Sequence, residues 1–106
     1  MDDRKAIVFK QIGAKIAYYR TLRGLHQVVL AEKIGISSSV LSRIERGKYN
    51  KNISISMLLD IAEGLGVDVS MFVTFDEHEK AMWGDPYQQE YSRAHRQNKF
   101  QGENKQ

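Results

Sequence analysis

The stretch from Gln27 to Gly47, QVVLAEKIGISSSVLSRIERG, confines this part of the chain to two short helices separated by a glycine turn. Leu30, Ala31 and Ile34 fall at i, i+1 and i+4 and give the first helix one apolar face. Gly35 stops it, because glycine takes the left-handed conformation without a Cβ clash. Ser37 can cap the second helix by accepting a hydrogen bond from an amide two or three residues on. That helix places Val40, Leu41 and Ile44 on one side and leaves Ser38, Ser39, Ser42, Arg43 and Arg46 on the other, before Gly47 ends it. An outer face of short hydroxyls and guanidiniums suits a DNA groove better than a packed core.

The flanking segments read as further helices. From about Lys5 to Arg23, Val8, Ile12, Ile16 and Tyr19 keep the spacing of an amphipathic helix, and Gly24 closes it. Leu25 is expected to plug the core between the first two helices. Leu22, Val28 and Val29 do not fit this scheme and read as scattered surface apolar residues. The loop Lys48 to Asn52 is polar, with two lysines and two asparagines. Ser54 is a candidate cap for a helix from about Ile55 to Leu65, with Leu58, Ile61, Ala62 and Leu65 buried. Gly66 stops that helix, Asp68 can cap a short fifth one, and Val69, Phe72 and Val73 are expected to pack inward. The expected fold is therefore all-α, a compact five-helix bundle over residues 1–75 with a C-terminal extension, 76–106.

In that extension, Asp76 to Lys80 reads as a solvated charge run rather than a metal cluster. Asp85-Pro86 is a good helix start, and Tyr87, Tyr91 and Ala94 recur at i, i+4 and i+7. The extension is thus expected to be partly helical. Docking on its own domain, pairing with a partner and remaining half-formed are all compatible with so short a helix.

With 106 residues the chain has room for one domain and an appendage. It has no cysteine, which removes disulfides, thiolate nucleophiles and Cys-based zinc sites and fits a reducing cytoplasm. No apolar run approaches the roughly 18 residues of a membrane span, and Met1 to Lys10 lacks a signal peptide's apolar region. The net charge of +3 is unevenly spread: residues 1–75 carry 11 Lys/Arg against 7 Asp/Glu, and residues 76–106 carry 5 against 6. The positive surplus lies with the helices just described, as a polyanion partner would require. His26, His78 and His95 are scattered, and no carboxylate set has catalytic or metal-ligand spacing. No enzyme, metal or cofactor is expected.

The order Gln27-x-x-Leu30-Ala31-x-x-x-Gly35-Ile36-x-x-x-x-Leu41-Ser42-Arg43-Ile44-Glu45-Arg46-Gly47 resembles the helix-turn-helix of the phage-repressor family, the Cro/cI or Xre class. Ile12-Gly13, Ile16, Arg20 and Gly24-Leu25 resemble the family's first helix. Leu58-Leu59-Asp60-Ile61-Ala62 and Leu65-Gly66-Val67 resemble its fourth helix and the turn after it. The resemblance covers about Ile12 to Phe72. It implies a bacterial or phage-type transcription regulator, a repressor that binds a palindromic operator in double-stranded DNA and works in the cytoplasm at the nucleoid.

The second helix of the motif would then be the recognition helix. Ser38, Ser39, Ser42 and Arg43 are the candidates for reading base edges, with Arg43 contributing most because a guanidinium can bridge both acceptors of guanine. Gln27, at a helix start, is expected at a DNA phosphate, with Ser37, Arg46, Lys48 and Asn50 flanking the groove. Lys48 and Asn50 also fit an ordinary loop. The resemblance further implies a structural salt bridge between Arg20 and Glu45. It departs at His26, where the family carries Ser, Thr or Asn as helix cap, since imidazole caps poorly. One short helix reads only a few base pairs, so a homodimer on two half-sites is expected. Val69, Met71 and Phe72, with Trp83, Tyr87 and Tyr91, are the candidates for its interface. The alternative is an antitoxin or adaptor whose residues 76–106 bind a partner protein.

Overall fold

Each of the first four helices ends on a glycine followed by one more residue that turns back on the helix. A computed structural model of the chain describes residues 3–49 and 53–83. Among them every regular element is a helix: α1 Asp3–Leu22, α2 Gln27–Ile34, α3 Ser38–Glu45, α4 Ile55–Leu65, α5 Ser70–Val73 and α6 Glu77–Trp83. Gly24, Gly35, Gly47 and Gly66 all have φ between 67° and 76°. At each, the next amide reaches back five residues: Leu25 to the Arg20 carbonyl, Ile36 to Ala31, Lys48 to Arg43 and Val67 to Ala62, at 2.8–3.1 Å. These bonds occupy the carbonyls that a helix end leaves open. In three of the four the residue after glycine is apolar, so the same turn that ends the helix also returns a side chain towards it.

Two serines start helices as their sequence positions suggest. Ser37 Oγ accepts from the Val40 amide at 3.1 Å, and Ser54 Oγ accepts from the Met57 amide at 3.0 Å. Asp68 Oδ1 accepts from the Ser70 amide at 2.9 Å at the start of α5. Hydrogen bonds from the Ser70 side chain and then from its backbone hold the exposed Asp68 carboxyl below its usual range.

The chain divides into two units, Phe9–Thr74 and a second formed by Met1–Val8 with Phe75–Gln106. The core of the first is built from one stripe per helix. Ile12 and Ile16 come from α1, Leu30 and Ala31 from α2, Leu41 and Ile44 from α3, Leu58, Ile61, Ala62 and Leu65 from α4, and Phe72 from α5. The Tyr19 ring lies 6.3 Å from that of Phe72. Each large side chain fully withdrawn from water contributes about 1.5–3 kcal/mol. Gly64 sets the spacing of α2 against α4: a Cβ there would meet Ile34 Cγ2 at 2.7 Å and Leu30 Cδ1 at 3.0 Å.

Two cations close the C-terminal end of α4. Arg23 donates to the Leu65 carbonyl at 2.9 Å and the Gly66 carbonyl at 3.1 Å, and Lys33 Nζ to the Gly64 carbonyl at 3.0 Å. Both charges oppose the negative end of the helix dipole. Two expectations need correction. Val73 does not pack inward but is 49% exposed, because a four-residue helix presents one buried position and Phe72 takes it. Asp76 to Lys80 is not merely a solvated run, since it opens α6 with a reciprocal cap. The Glu79 amide donates to Asp76 Oδ1 at 2.7 Å and the Asp76 amide to Glu79 Oε1 at 3.1 Å. The helix expected after Asp85 lies outside the described residues.

Candidate nucleic-acid interface

Helix α3 packs by its apolar side. Leu41 and Ile44 are fully buried, and the Ser37 cap and Gly47 turn fix its two ends. The opposite side carries the hydrogen-bonding groups. Ser39 is exposed, and Ser38, Ser42 and Arg43 are half-buried. Neither α2 nor α3 has an acidic residue in its first turn, so nothing there repels a polyanion.

Arg43 shows an unusual feature. Its Nε is buried and has no hydrogen-bond acceptor among the described residues. An unsatisfied buried donor costs about 1–3 kcal/mol. Arg46 is exposed at the end of α3, with its Nε bonded to the Ser42 carbonyl at 3.3 Å. The remaining nitrogens of that guanidinium are donors only. Lys48 is exposed in the following loop, and Asn50 lies outside the described residues.

At the other end of the motif, α2 starts at Gln27. His26 sits at the N-cap with extended backbone, φ −72° and ψ 154°, and makes no side-chain cap bond. Gln27 is half-buried, and its Nε2 donates to Glu45 Oε1 at 2.8 Å. Glu45 also receives Arg20 in a bidentate pair, Nε to Oε2 at 2.7 Å and Nη2 to Oε1 at 3.0 Å. Arg20 Nη1 bonds the Leu25 carbonyl at 2.7 Å. The structure thus brings Gln27, Arg20 and Glu45 together, which joins α1, α2 and α3 on one carboxylate. The Gln27 contact has no local sequence signal, because its partner lies 18 residues away.

The helix-turn-helix family model (HTH_3) matches residues 16–72, just over half of the chain. The chain belongs to this family. The resemblance to Cro/cI-type, or Xre, regulators therefore holds, and the all-α bundle is their DNA-binding fold. Among similar proteins, an uncharacterized HTH-type transcriptional regulator of Methanocaldococcus jannaschii is 35% identical over 65 residues, 61% of this chain and 96% of that protein. The immunity repressor protein of Bacillus phage phi105 is 45% identical over 62 residues, 58% of this chain but 42% of the repressor. The crystal structure of the restriction-modification controller protein C.AhdI from Aeromonas hydrophila superposes with a TM-score of 0.56 at 28% identity, covering 60% of this chain and 94% of that one.

The residues named for self-association divide. Met71 is 41% exposed and Val69 half-buried on this helix-turn-helix domain. Phe72 has no exposed surface, which corrects its assignment to an interface: it is a core residue beneath α5. Trp83 is the last residue of α6, and Tyr87 and Tyr91 lie outside the described residues. Sequence reasoning missed Ile55 and Leu59, 70% and 50% exposed and one helical turn apart on α4. Their exposure has no local signal, since the same apolar run supplies the core. Among the described residues no group of three or more His, Cys, Asp or Glu is placed to hold a metal, and no helix is long and apolar enough to cross a membrane.

Proposed function

We propose that the protein is a sequence-specific regulator of transcription, a cytoplasmic repressor that binds a palindromic operator as a homodimer. Helix α3 enters the major groove with Ser38, Ser39, Ser42 and Arg43 at base edges. Gln27, Ser37, Arg46, Lys48 and Asn50 meet phosphates on either side. What supports this reading is the helix-turn-helix family match over residues 16–72, together with an α3 anchored by Leu41 and Ile44 that carries Ser38, Ser39, Ser42 and Arg43 away from that buried side. A guanine edge supplies two acceptors in the plane of a guanidinium. Serines donate or accept and discriminate less, so Arg43 dominates the readout.

Selection of bound sequences from random duplex DNA tests this directly, and a chain with no preferred sequence would sink it. Arg43→Ala is expected to weaken binding to the selected site by roughly 1–3 kcal/mol and to relax the preference at one base pair per half-site. An unchanged preferred sequence and affinity would remove Arg43 from the reading set.

Two copies must present their α3 helices about 34 Å apart, one turn of the duplex. Residues 1–75 form the DNA-binding domain in this reading, and residues 76–106 an extension to it. Apolar residues beyond the DNA face supply the dimer surface: exposed Met71 with half-buried Val69, and exposed Ile55 and Leu59 on α4. Trp83, Tyr87 and Tyr91 are further candidates for contact between copies. Sedimentation of the full chain is expected to show a dimer at micromolar concentration, weakened when Met71 or Leu59 is replaced by aspartate. Monomers in the wild type, or variants as tightly paired as wild type, would exclude that surface.

A further inference from the structure

The carboxylate of Glu45 holds more than its ion-pair partner. Its side chain is 5% exposed, and its Oε1 accepts from both Arg20 Nη2 at 3.0 Å and Gln27 Nε2 at 2.8 Å. A side-chain amide has an acceptor end and a two-donor end, and when free it presents either. A carboxylate only accepts. Contact with Glu45 therefore fixes which way the Gln27 amide points: one Nε2 hydrogen is used on Glu45, and the second remains a donor.

That second donor belongs to the first residue of α2. The helix start has no side-chain cap at His26 and no acidic residue in its first turn. The first amides of a helix carry partial positive charge and need acceptors. Reversing the Gln27 amide would place a carbonyl oxygen at the same end and repel a phosphate. Arg20 keeps Glu45 in place through two bonds, so the polarity of Gln27 is set by residues that need not touch DNA.

We propose that Glu45 is a positioning residue for DNA binding, fixing the Gln27 amide so that its remaining N–H is offered to a backbone phosphate at the start of α2. The inference rests on the phosphate role given to Gln27 above. It assigns Glu45 a task beyond tying α1 to α3.

The test measures affinity of the full chain for its selected duplex over a range of salt, for wild type, Glu45→Gln, Gln27→Ala and the double variant. Glutamine at position 45 is close in shape but can donate or accept, so it no longer fixes its neighbour. Each single change is expected to weaken binding roughly tenfold per half-site, as removing one hydrogen bond to a charged group does. The Gln27 amide is neutral, so Gln27→Ala is expected to keep the wild-type salt dependence while its affinity falls. Withdrawal of a lysine or arginine from a phosphate would instead flatten the slope by about 0.9, and that result would overturn the Gln27 contact as the cause. In the double variant the reduction is expected to equal that of Gln27→Ala alone, because both changes act on one hydrogen bond. Effects that add, or a Glu45→Gln chain that binds as wild type, overturn the positioning role and leave the DNA-binding reading standing. A Gln27→Ala chain with wild-type affinity overturns the phosphate contact itself.

Glu45→Gln also strands Arg20, so a second measurement uses the wild-type chain. The two side-chain amide protons of Gln27, followed by NMR, are expected to respond differently to duplex DNA. The proton held by Glu45 stays in place and the other shifts. Two protons that move together, or neither moving, overturn the proposal.

Discussion

Replacing Arg20 by alanine is expected to cost about 3–5 kcal/mol of stability, the largest effect of any single polar change in the domain. The pair it breaks is bidentate and largely withdrawn from water, with side chains 16% exposed for Arg20 and 5% for Glu45. An exposed ion pair would contribute under about 1 kcal/mol. The cost arises mainly from what remains: a nearly buried carboxylate with only the Gln27 amide for a partner. Glu45→Ala is expected to be milder, because Arg20 would keep its bond to the Leu25 carbonyl and more access to water. In a small domain this loss is a large share of the total, and it lowers the melting temperature by more than about 12 °C. Thermal unfolding followed by circular dichroism checks both the size and the order. A shift below about 1 kcal/mol for Arg20→Ala would show that solvent already screens the pair.

The helix ends and the core were legible because both are local. A glycine followed by an apolar residue marks the ends of α1, α2 and α4, and the turn needs nothing from elsewhere in the chain. The stripe Leu58, Ile61, Ala62 and Leu65 is set by helical period alone, and all four residues are buried. In α5 that rule fails, since four residues span little more than one turn and cannot separate Phe72 inside from Val73 outside. The cap of α6 was legible in principle: Asp76 and Glu79 stand three apart, but the charges around them mask the spacing as composition. Among contacts between distant residues, the Arg20–Glu45 pair was legible only through the family resemblance, and others left no trace. Arg23 lies 42 residues from the Leu65 carbonyl it closes, and nothing near either residue announces the other. The same holds at the proposed DNA face: hydroxyls and guanidiniums on α3 were readable, whereas the contact between Gln27 and Glu45 was not.

Gly13 gives the sharpest case in which a sequence rule should reverse its sign. It lies inside α1, where glycine is about 1 kcal/mol worse than alanine, so Gly13→Ala would ordinarily stabilise the helix. Here a Cβ would fall 2.6 Å from the Glu45 carbonyl oxygen and closer still to that of Ile44. Both are backbone atoms in the last turn of α3, so no rotamer change relieves the clash. Either α1 or α3 must shift. Gly13→Ala is therefore expected to destabilise by roughly 1–3 kcal/mol, and Gly13→Val by about 3 kcal/mol or more. Gly64→Ala is the internal comparison: its Cβ would meet side-chain atoms of Ile34 and Leu30, which can turn aside, so its cost is expected to be smaller. Urea unfolding of the three variants orders them. A Gly13→Ala chain as stable as wild type would mean that α3 moves away freely. In that event its operator affinity should fall instead, because the helix that moves is the one proposed to carry Arg43 into the groove.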